Sequence, residues 1–279
     1  MLDFSPPLEL SQELTMRPRS LAILALTLAA STMALAGKPA TSTCPLWQDS
    51  FNAGQLDTTR WVVANGPAPG AITDQHQGVY DPTHVDLSKG LLALTLTQQT
   101  GQVGANPSGV LSYGAMVYSK ASCGYGTYEW TMQMSSTSPY PGTAGDAVSG
   151  SVSAGFIYVN NSQTEIDFEF AGDDANTLWM VNWLNTNPNR DPTSSNETAT
   201  ALSPFQATEG FHTYTFVWSK RKISYYVDGI LRVNHTTNVP SAAARFMINH
   251  WGTDSPYWGG YATPGVTRYM YVTHASYAP

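Results

Sequence analysis

Thr164-Glu165-Ile166-Asp167-Phe168-Glu169-Phe170 decides the fold, because acids and large apolar residues alternate through it without a break. A period of two is that of a β-strand. Glu165, Asp167 and Glu169 then share one face, while Ile166, Phe168 and Phe170 share the other and need a second layer to cover them. Like charges stacked on one strand face repel, and no Lys or Arg lies between Lys120 and Arg190 to neutralise them locally. With only 13 Lys and Arg in 279 residues, pairing from neighbouring strands explains the row poorly, and carboxylate chemistry explains it better.

Reach supplies that chemistry. Glu165 and Glu169 stand about 13 Å apart at Cα, at roughly 3.3 Å per residue. Two glutamate arms of about 4 Å leaning together bring their carboxyls to about 5–5.5 Å, the spacing of a retaining glycosidase; inverting enzymes need more room, for a water. One carboxylate attacks an anomeric carbon, and the other, held protonated by burial and neighbouring negative charge, donates to the leaving oxygen. Asp167 sits between them on a shorter arm, placed to keep the two pKa values apart.

Composition bounds the rest. Hydrophobic residues make up 42% and charged residues 12%, with 15 Tyr, 8 Trp, 23 Gly and 18 Pro, which excludes a disordered chain and favours one all-β domain of about 230 residues. A net charge of −7 lacks the basic footprint that nucleic acid or an anionic membrane surface requires. At the N-terminus, Met16 to Ser20 is a short basic region, and the apolar run Leu21 to Leu35 ends in Ala34-Leu35-Ala36. That is the pattern of a secretory signal cut after Ala36, and the run is too short for a membrane anchor. The expected organisation is an N-terminal extension and signal peptide over 1–36, a linker over 37–45 and a catalytic domain over 46–279. Export permits a disulfide between Cys44 and Cys123, the only cysteines, worth about 4–5 kcal/mol in the chain-entropy model; two free buried thiols are the alternative.

Short candidate strands follow one another, separated by Gly, Pro, Asn and Asp turns: 91–97, 115–119, 125–134, 153–159, 165–170, 178–184, 211–219, 223–228, 230–234, 245–250 and 267–277. Asp228-Gly229 closes a hairpin of the type I′ kind. Loops are expected over 135–150 and 185–206. No dinucleotide, P-loop, serine-hydrolase or zinc-protease motif occurs. Of the scattered histidines, His250 stands out because it adjoins Trp251 at a strand end.

The acidic strand, the block Gly124 to Glu129 (GYGTYE), the block Phe211 to Trp218 (FHTYTFVW) and the block Tyr225 to Gly229 (YYVDG) together resemble glycoside hydrolase family 16 over about Leu46 to Tyr277. The resemblance implies a concanavalin-like β-jelly roll, a sandwich of two curved antiparallel sheets whose concave face is an open glycan cleft. It implies Glu165 as nucleophile, Glu169 as acid/base and Asp167 as assisting residue. The uninterrupted acidic motif is similar to the lichenase and xyloglucan endotransglycosylase branch. On that match the substrate-binding residues are Phe156, Asn182, Trp183, Asn249, Trp251 and Trp258, whose rings and amides suit pyranose faces and hydroxyls. Trp130 and Trp218 belong to the core. Gln163, Thr164 and Leu184 depart from the lichenase pattern, and neither cysteine matches the lichenase disulfide. Thr273 stands where lichenases carry a calcium-binding Asp, so a structural calcium has only backbone oxygens to rest on, and no cofactor is required. Tyr140, within the 135–150 insertion, is placed to narrow one end of the cleft.

The expectation is a secreted or periplasmic monomer acting on a β-glucan polysaccharide or oligosaccharide: a retaining endo-β-glucanase cutting β-1,3-1,4 or β-1,4 linkages. A xyloglucan or β-glucan endotransglycosylase using the same acids is the alternative, and a non-catalytic glycan-binding jelly roll comes third.

Overall fold

A computed structural model describes residues 44–159, 162–185 and 196–279. The expected extension, signal sequence and most of the linker lie outside the described residues. Those described form β1 (Trp47–Asp49), β2 (Trp61–Val63), β3 (Gly66–Pro67), β4 (His76–Tyr80), β5 (Val85–Asp86), β6 (Leu92–Val103), β7 (Asn106–Cys123), β8 (Gly126–Ser136) and β9 (Ser151–Val159). There follow β10 (Thr164–Ala171), β11 (Leu178–Trp183), β12 (Glu197–Leu202), β13 (His212–Ser219), β14 (Lys222–Val227), β15 (Ile230–His235), β16 (Ala244–Gly252) and β17 (Arg268–Ala278).

Two curved sheets lie face to face, as the jelly roll requires. The first runs β2-β7-β16-β9-β10-β11-β12. The second runs β5-β6-β17-β8-β13-β14-β15, with β1 on the C-terminal half of β17. Two long strands tie the layers together. Leu92–Leu96 of β6 pairs in the second sheet, Thr97–Val103 forms a hairpin with the start of β7, and Ala115–Cys123 of β7 enters the first sheet.

The space between the sheets is filled by aromatic rings contributed alternately from both. Ile166, Phe168 and Phe170 of β10 are fully buried there, as the period of two demands. Phe168 meets Tyr214 and Tyr225 of the second sheet at 5.4 Å between ring centroids, and Trp130 stacks on Phe246 at 4.2 Å. The Tyr225 hydroxyl crosses the layer to donate to the Val181 carbonyl at 2.6 Å. Trp130 and Trp218 are both buried in this core, where the sequence puts them. Asp228 (φ 54°) and Gly229 (φ 73°) take the left-handed conformations expected of the hairpin turn.

Several elements escaped the sequence pattern. β1, β2, β3 and β5 are two or three residues long, too short to show a period. β12 falls inside the expected 185–206 loop, because an edge strand reading Glu-Thr-Ala-Thr-Ala-Leu buries no continuous apolar face. The 135–150 segment is a loop, but one pinned by side chains. Gln133 accepts from the Gly142 amide at 2.9 Å and donates to the Thr143 carbonyl at 2.8 Å. Lys89 donates to the Pro139 carbonyl at 2.6 Å and the Tyr271 hydroxyl to Ser138 at 3.0 Å. These bonds lay the Tyr140 end beside Tyr271, which packs with Leu91 and Ala93 rather than in the inter-sheet core. Tyr140 therefore does not narrow the acid-bearing face.

Cys44 and Cys123 are joined in a disulfide, with Cα atoms 5.2 Å apart and 79 residues of sequence separation. It holds the start of the domain to the end of β7. Cys123→Ser should lower unfolding stability by about 2–5 kcal/mol, and reducing agent should do the same to the wild type and nothing to the variant; urea unfolding curves check both.

Candidate active site

β10 is an interior strand, so both neighbours fix which way each of its side chains points. Its register with β9 sets Glu165 beside Tyr158, Asp167 beside Phe156 and Glu169 beside Ala154. Across β11 the partners are Trp183, Val181 and Trp179. On the far side of β9, Asn249 of β16 neighbours Ala154, and Trp251 neighbours Val152. Directly paired residues share a face, so the three acids look out from the side opposite Phe168 over a cleft also lined by Tyr80, Met116, Met247 and Ser162.

The acids are almost removed from water: Asp167 is 1% exposed, and Glu165 and Glu169 are each 8% exposed. Burial raises the Glu165 carboxyl to about 7 against an opposing hydrogen bond from the Ser162 hydroxyl, with Glu197 adding to the rise. Glu169 is raised further, to about 8, by burial and then by the charges of Glu165 and Glu197, and nothing offsets it. Asp167 is raised well above the usual carboxylate range by burial and by the acids on either side. The order is physical. Glu165, with a hydroxyl donating to it, gives up its proton before Glu169, whose Oε2 has no partner. Ser162 holds its position from a left-handed backbone (φ 61°), an uncommon conformation for a non-glycine residue, with its carbonyl accepting from the Asn185 amide at 2.8 Å.

A match to the sequence profile of Glycosyl hydrolases family 16 spans residues 72–267. The chain belongs to glycosyl hydrolases family 16. The β-glucanase of Acetivibrio thermocellus is 32% identical over 234 residues, covering 81% of this chain and 60% of that protein, so the chain spans less than two thirds of this relative's length. The endo-1,3-1,4-β-glycanase ExoK of Rhizobium meliloti is 28% identical over 216 residues, 75% of this chain and 69% of that protein. Among solved structures, the Bacillus licheniformis β-glucanase superposes with a TM-score of 0.64 at 25% identity, over 85% of this chain and 100% of that one.

Within this family 16 sheet, the expected glycan-contacting residues separate into groups. Phe156, Asn249 and Trp251 line the cleft with the acids. The Asn249 amide donates to the Tyr80 hydroxyl at 3.3 Å, and its Oδ1 is left without a partner. Trp258 lies at the margin of the acid-bearing face, its ring 6.1 Å from that of Trp179, in a cluster with Trp251. Both rings are more than nine-tenths buried, so each packs as well as borders the cleft. Trp183 is on the acid face beside Glu165 but is 1% exposed and does not line the cleft.

Asn182 is a correction. It pairs with Ile166, so it points into the protein, where it donates to the Thr237 and Asn238 carbonyls at 3.1 and 2.7 Å and accepts from His235 at 2.7 Å. Adjacent strand residues face opposite ways, and a one-residue displacement reverses the face. His250 likewise turns inward, between the Leu94 carbonyl at 2.9 Å and the Ser135 hydroxyl at 2.8 Å, and burial takes its pKa down to about 3. The Thr273 hydroxyl donates to the Thr131 carbonyl at 3.4 Å.

Sequence reasoning missed Ser162, Tyr80, Met116, Met247 and Trp179, along with a fourth carboxylate. Glu197 is the cross-strand partner of Trp183 and so shares the acid face. Burial lifts it to about 7, and one of its oxygens has no partner. No spacing in the sequence links residue 197 to residue 165; only the β11–β12 register does.

Two consequences can be measured. Asn182→Ala should lower stability by about 1–3 kcal/mol, because it strands buried hydrogen-bonding partners, and should leave substrate affinity unchanged; thermal melts and KM check this. Glu169 has a folded pKa of about 8, above its ordinary 4.5, so its contribution to stability is complete below the lower value and lost as pH rises through the upper one. Glu169→Gln lacks that loss. Its melting temperature relative to wild type should climb from about pH 4.5 to about pH 8 and level off above that.

Proposed function

We propose that this chain is a secreted, retaining endo-β-glucanase that hydrolyses β-1,3-1,4- or β-1,4-linked glucans. The observation carrying the reading is the β10 register, which sets Glu165 and Glu169 on one cleft-facing strand face with Glu165 the easier to ionise. Supporting it are the relatives named β-glucanase and endo-1,3-1,4-β-glycanase. Secretion is supported by the N-terminal sequence and by the Cys44–Cys123 disulfide, which an oxidising compartment sustains.

In the first step the Glu165 carboxylate attacks the anomeric carbon, the glycosidic C–O bond breaks, and the Glu169 proton passes to the leaving oxygen. The product is a glycosyl ester on Glu165. Glu169, now a carboxylate, takes a proton from water as the water attacks the same carbon, and Glu165 leaves as a carboxylate. Two inversions retain the β-configuration. Asp167, kept protonated by its surroundings, adds no third charge between the pair. The cycle needs Glu165 ionised while Glu169 keeps its proton, and the Ser162 hydroxyl, which donates to Glu165 alone of the two, favours that order.

Reducing-sugar release from barley β-glucan tests the activity, and Glu165→Gln should retain less than about 1% of it because an amide forms no glycosyl ester. Proton NMR of the earliest product should show the β-anomer. Initial release of the α-anomer, or an active Glu165→Gln enzyme, would sink the assignment.

A further inference from the structure

The cleft is chemically lopsided. On the β9, β16 and β7 side of the acids, the neighbour of Asp167 is Phe156, then Met247, then Tyr118. One step along the strands, the neighbour of Glu169 is Ala154, then Asn249, then Met116. Phe156, Ala154, Met247 and Met116 all line the cleft. None of these four side chains carries a group that hydrogen-bonds a hydroxyl strongly.

The polar groups nearby are mostly committed. The Ser162 hydroxyl donates to Glu165, and the Tyr80 hydroxyl accepts from the Asn249 amide, which leaves the Tyr80 O–H as a donor at the edge of the floor. Arg245 lies at the exposed rim with its guanidinium 5.2 Å above the Tyr118 ring. The groups able to read a sugar hydroxyl are the acids themselves and the unpartnered Asn249 Oδ1 on one side and the Tyr158 and Tyr118 side chains at the edges, which leaves Phe156, Met247 and Met116 as an apolar stretch between them.

A site built to hydrogen-bond a hydroxyl rejects a substrate lacking it by about 10⁴–10⁵, because its own polar groups are left unpaired, whereas an apolar pocket discriminates by only about 10–200-fold per methylene. Two unbranched thioethers also move aside for added bulk at little energetic expense. Resting on the hydrolase reading above, we propose that the Phe156–Met247–Met116 floor makes this enzyme tolerant of β-glucan chains whose hydroxyls carry neutral apolar substituents, O-acetyl groups in particular. Anionic substituents are disfavoured, since the ionised Glu165 carboxylate faces the same cleft and an added anion would raise the already unfavourable charge of the row.

The test compares one polymer in two states: barley β-glucan acetylated to about 0.8 acetyl per glucose, dense enough to leave few bare runs, and the same batch saponified. Wild type should cleave the two at initial rates within about fivefold of each other at subsaturating concentration, and a larger deficit on the acetylated polymer overturns the proposal. Met116→Gln places an amide whose Oε1 accepts from a free hydroxyl but finds no donor on an ester, so it should widen the ratio by at least about fivefold, while Met116→Leu should keep it. Equal changes on both polymers with Met116→Gln would assign the methionine to packing alone and overturn the proposal.

Failure of the activity itself is read separately. If the saponified polymer is not cut, the hydrolase reading falls, and Glu165→Gln protein run through gels containing either polymer still decides specificity. Equal retardation by both polymers supports the tolerant floor; retardation by the saponified polymer alone, or by neither, overturns it.

Discussion

The structure depends on a balance across one strand. β10 keeps three carboxyl groups almost out of water on one face, and the opposite face buries Ile166, Phe168 and Phe170 completely. Each of those apolar side chains contributes about 1.5–3 kcal/mol by leaving water. Desolvating like charges side by side costs a comparable amount, and the protein lowers that cost by holding protons: burial pushes Glu165, Asp167 and Glu169 upward in pKa, so the strand does not carry three charges at neutral pH. The core therefore does more than shape the cleft. It supplies the free energy that keeps an electrostatically unfavourable row in place.

That balance also gives the acids different characters. Along β10 they are two residues apart and share a face, yet Glu165 receives the Ser162 hydroxyl while Glu169 has an oxygen with no partner. One donated hydrogen bond separates a group that ionises more easily from one that holds its proton. Ser162 makes it from a left-handed backbone position, so a local conformational cost is spent on the electrostatics of the strand it precedes. Glu197, two strands away, raises both glutamates and couples the sheet edge to the site.

Around the acids the sheet sorts its side chains by register. Phe156, Asn249 and Trp251 come together on the acid face from β9, the strand just before β10, and from β16, which is far from both in sequence. Asn182 and His250, equally polar and equally close in sequence to cleft residues, face the interior and are satisfied there. Parity along a strand decided these cases, and the same parity brought two methionines and Glu197 into positions that no motif marked.

How much was legible in the sequence follows from the range of each signal. The strict alternation of residues 164–170 determined a strand with a carboxylate face and a core face, because a period of two is local and survives any packing. The Asp228-Gly229 pair determined a hairpin turn for the same reason, and four spaced blocks determined the family and its jelly roll. The presence of Cys44 and Cys123 permitted a disulfide, but their approach to 5.2 Å at Cα across 79 residues is a property of the folded chain. The inward turn of Asn182, the outward turn of Glu197, the Ser162 bond to Glu165 and the Met116–Met247 floor were decided only by tertiary structure. Each depends on which residue of one strand lies opposite which residue of the next, and that register is set by packing of the whole sandwich rather than by any stretch of sequence within it.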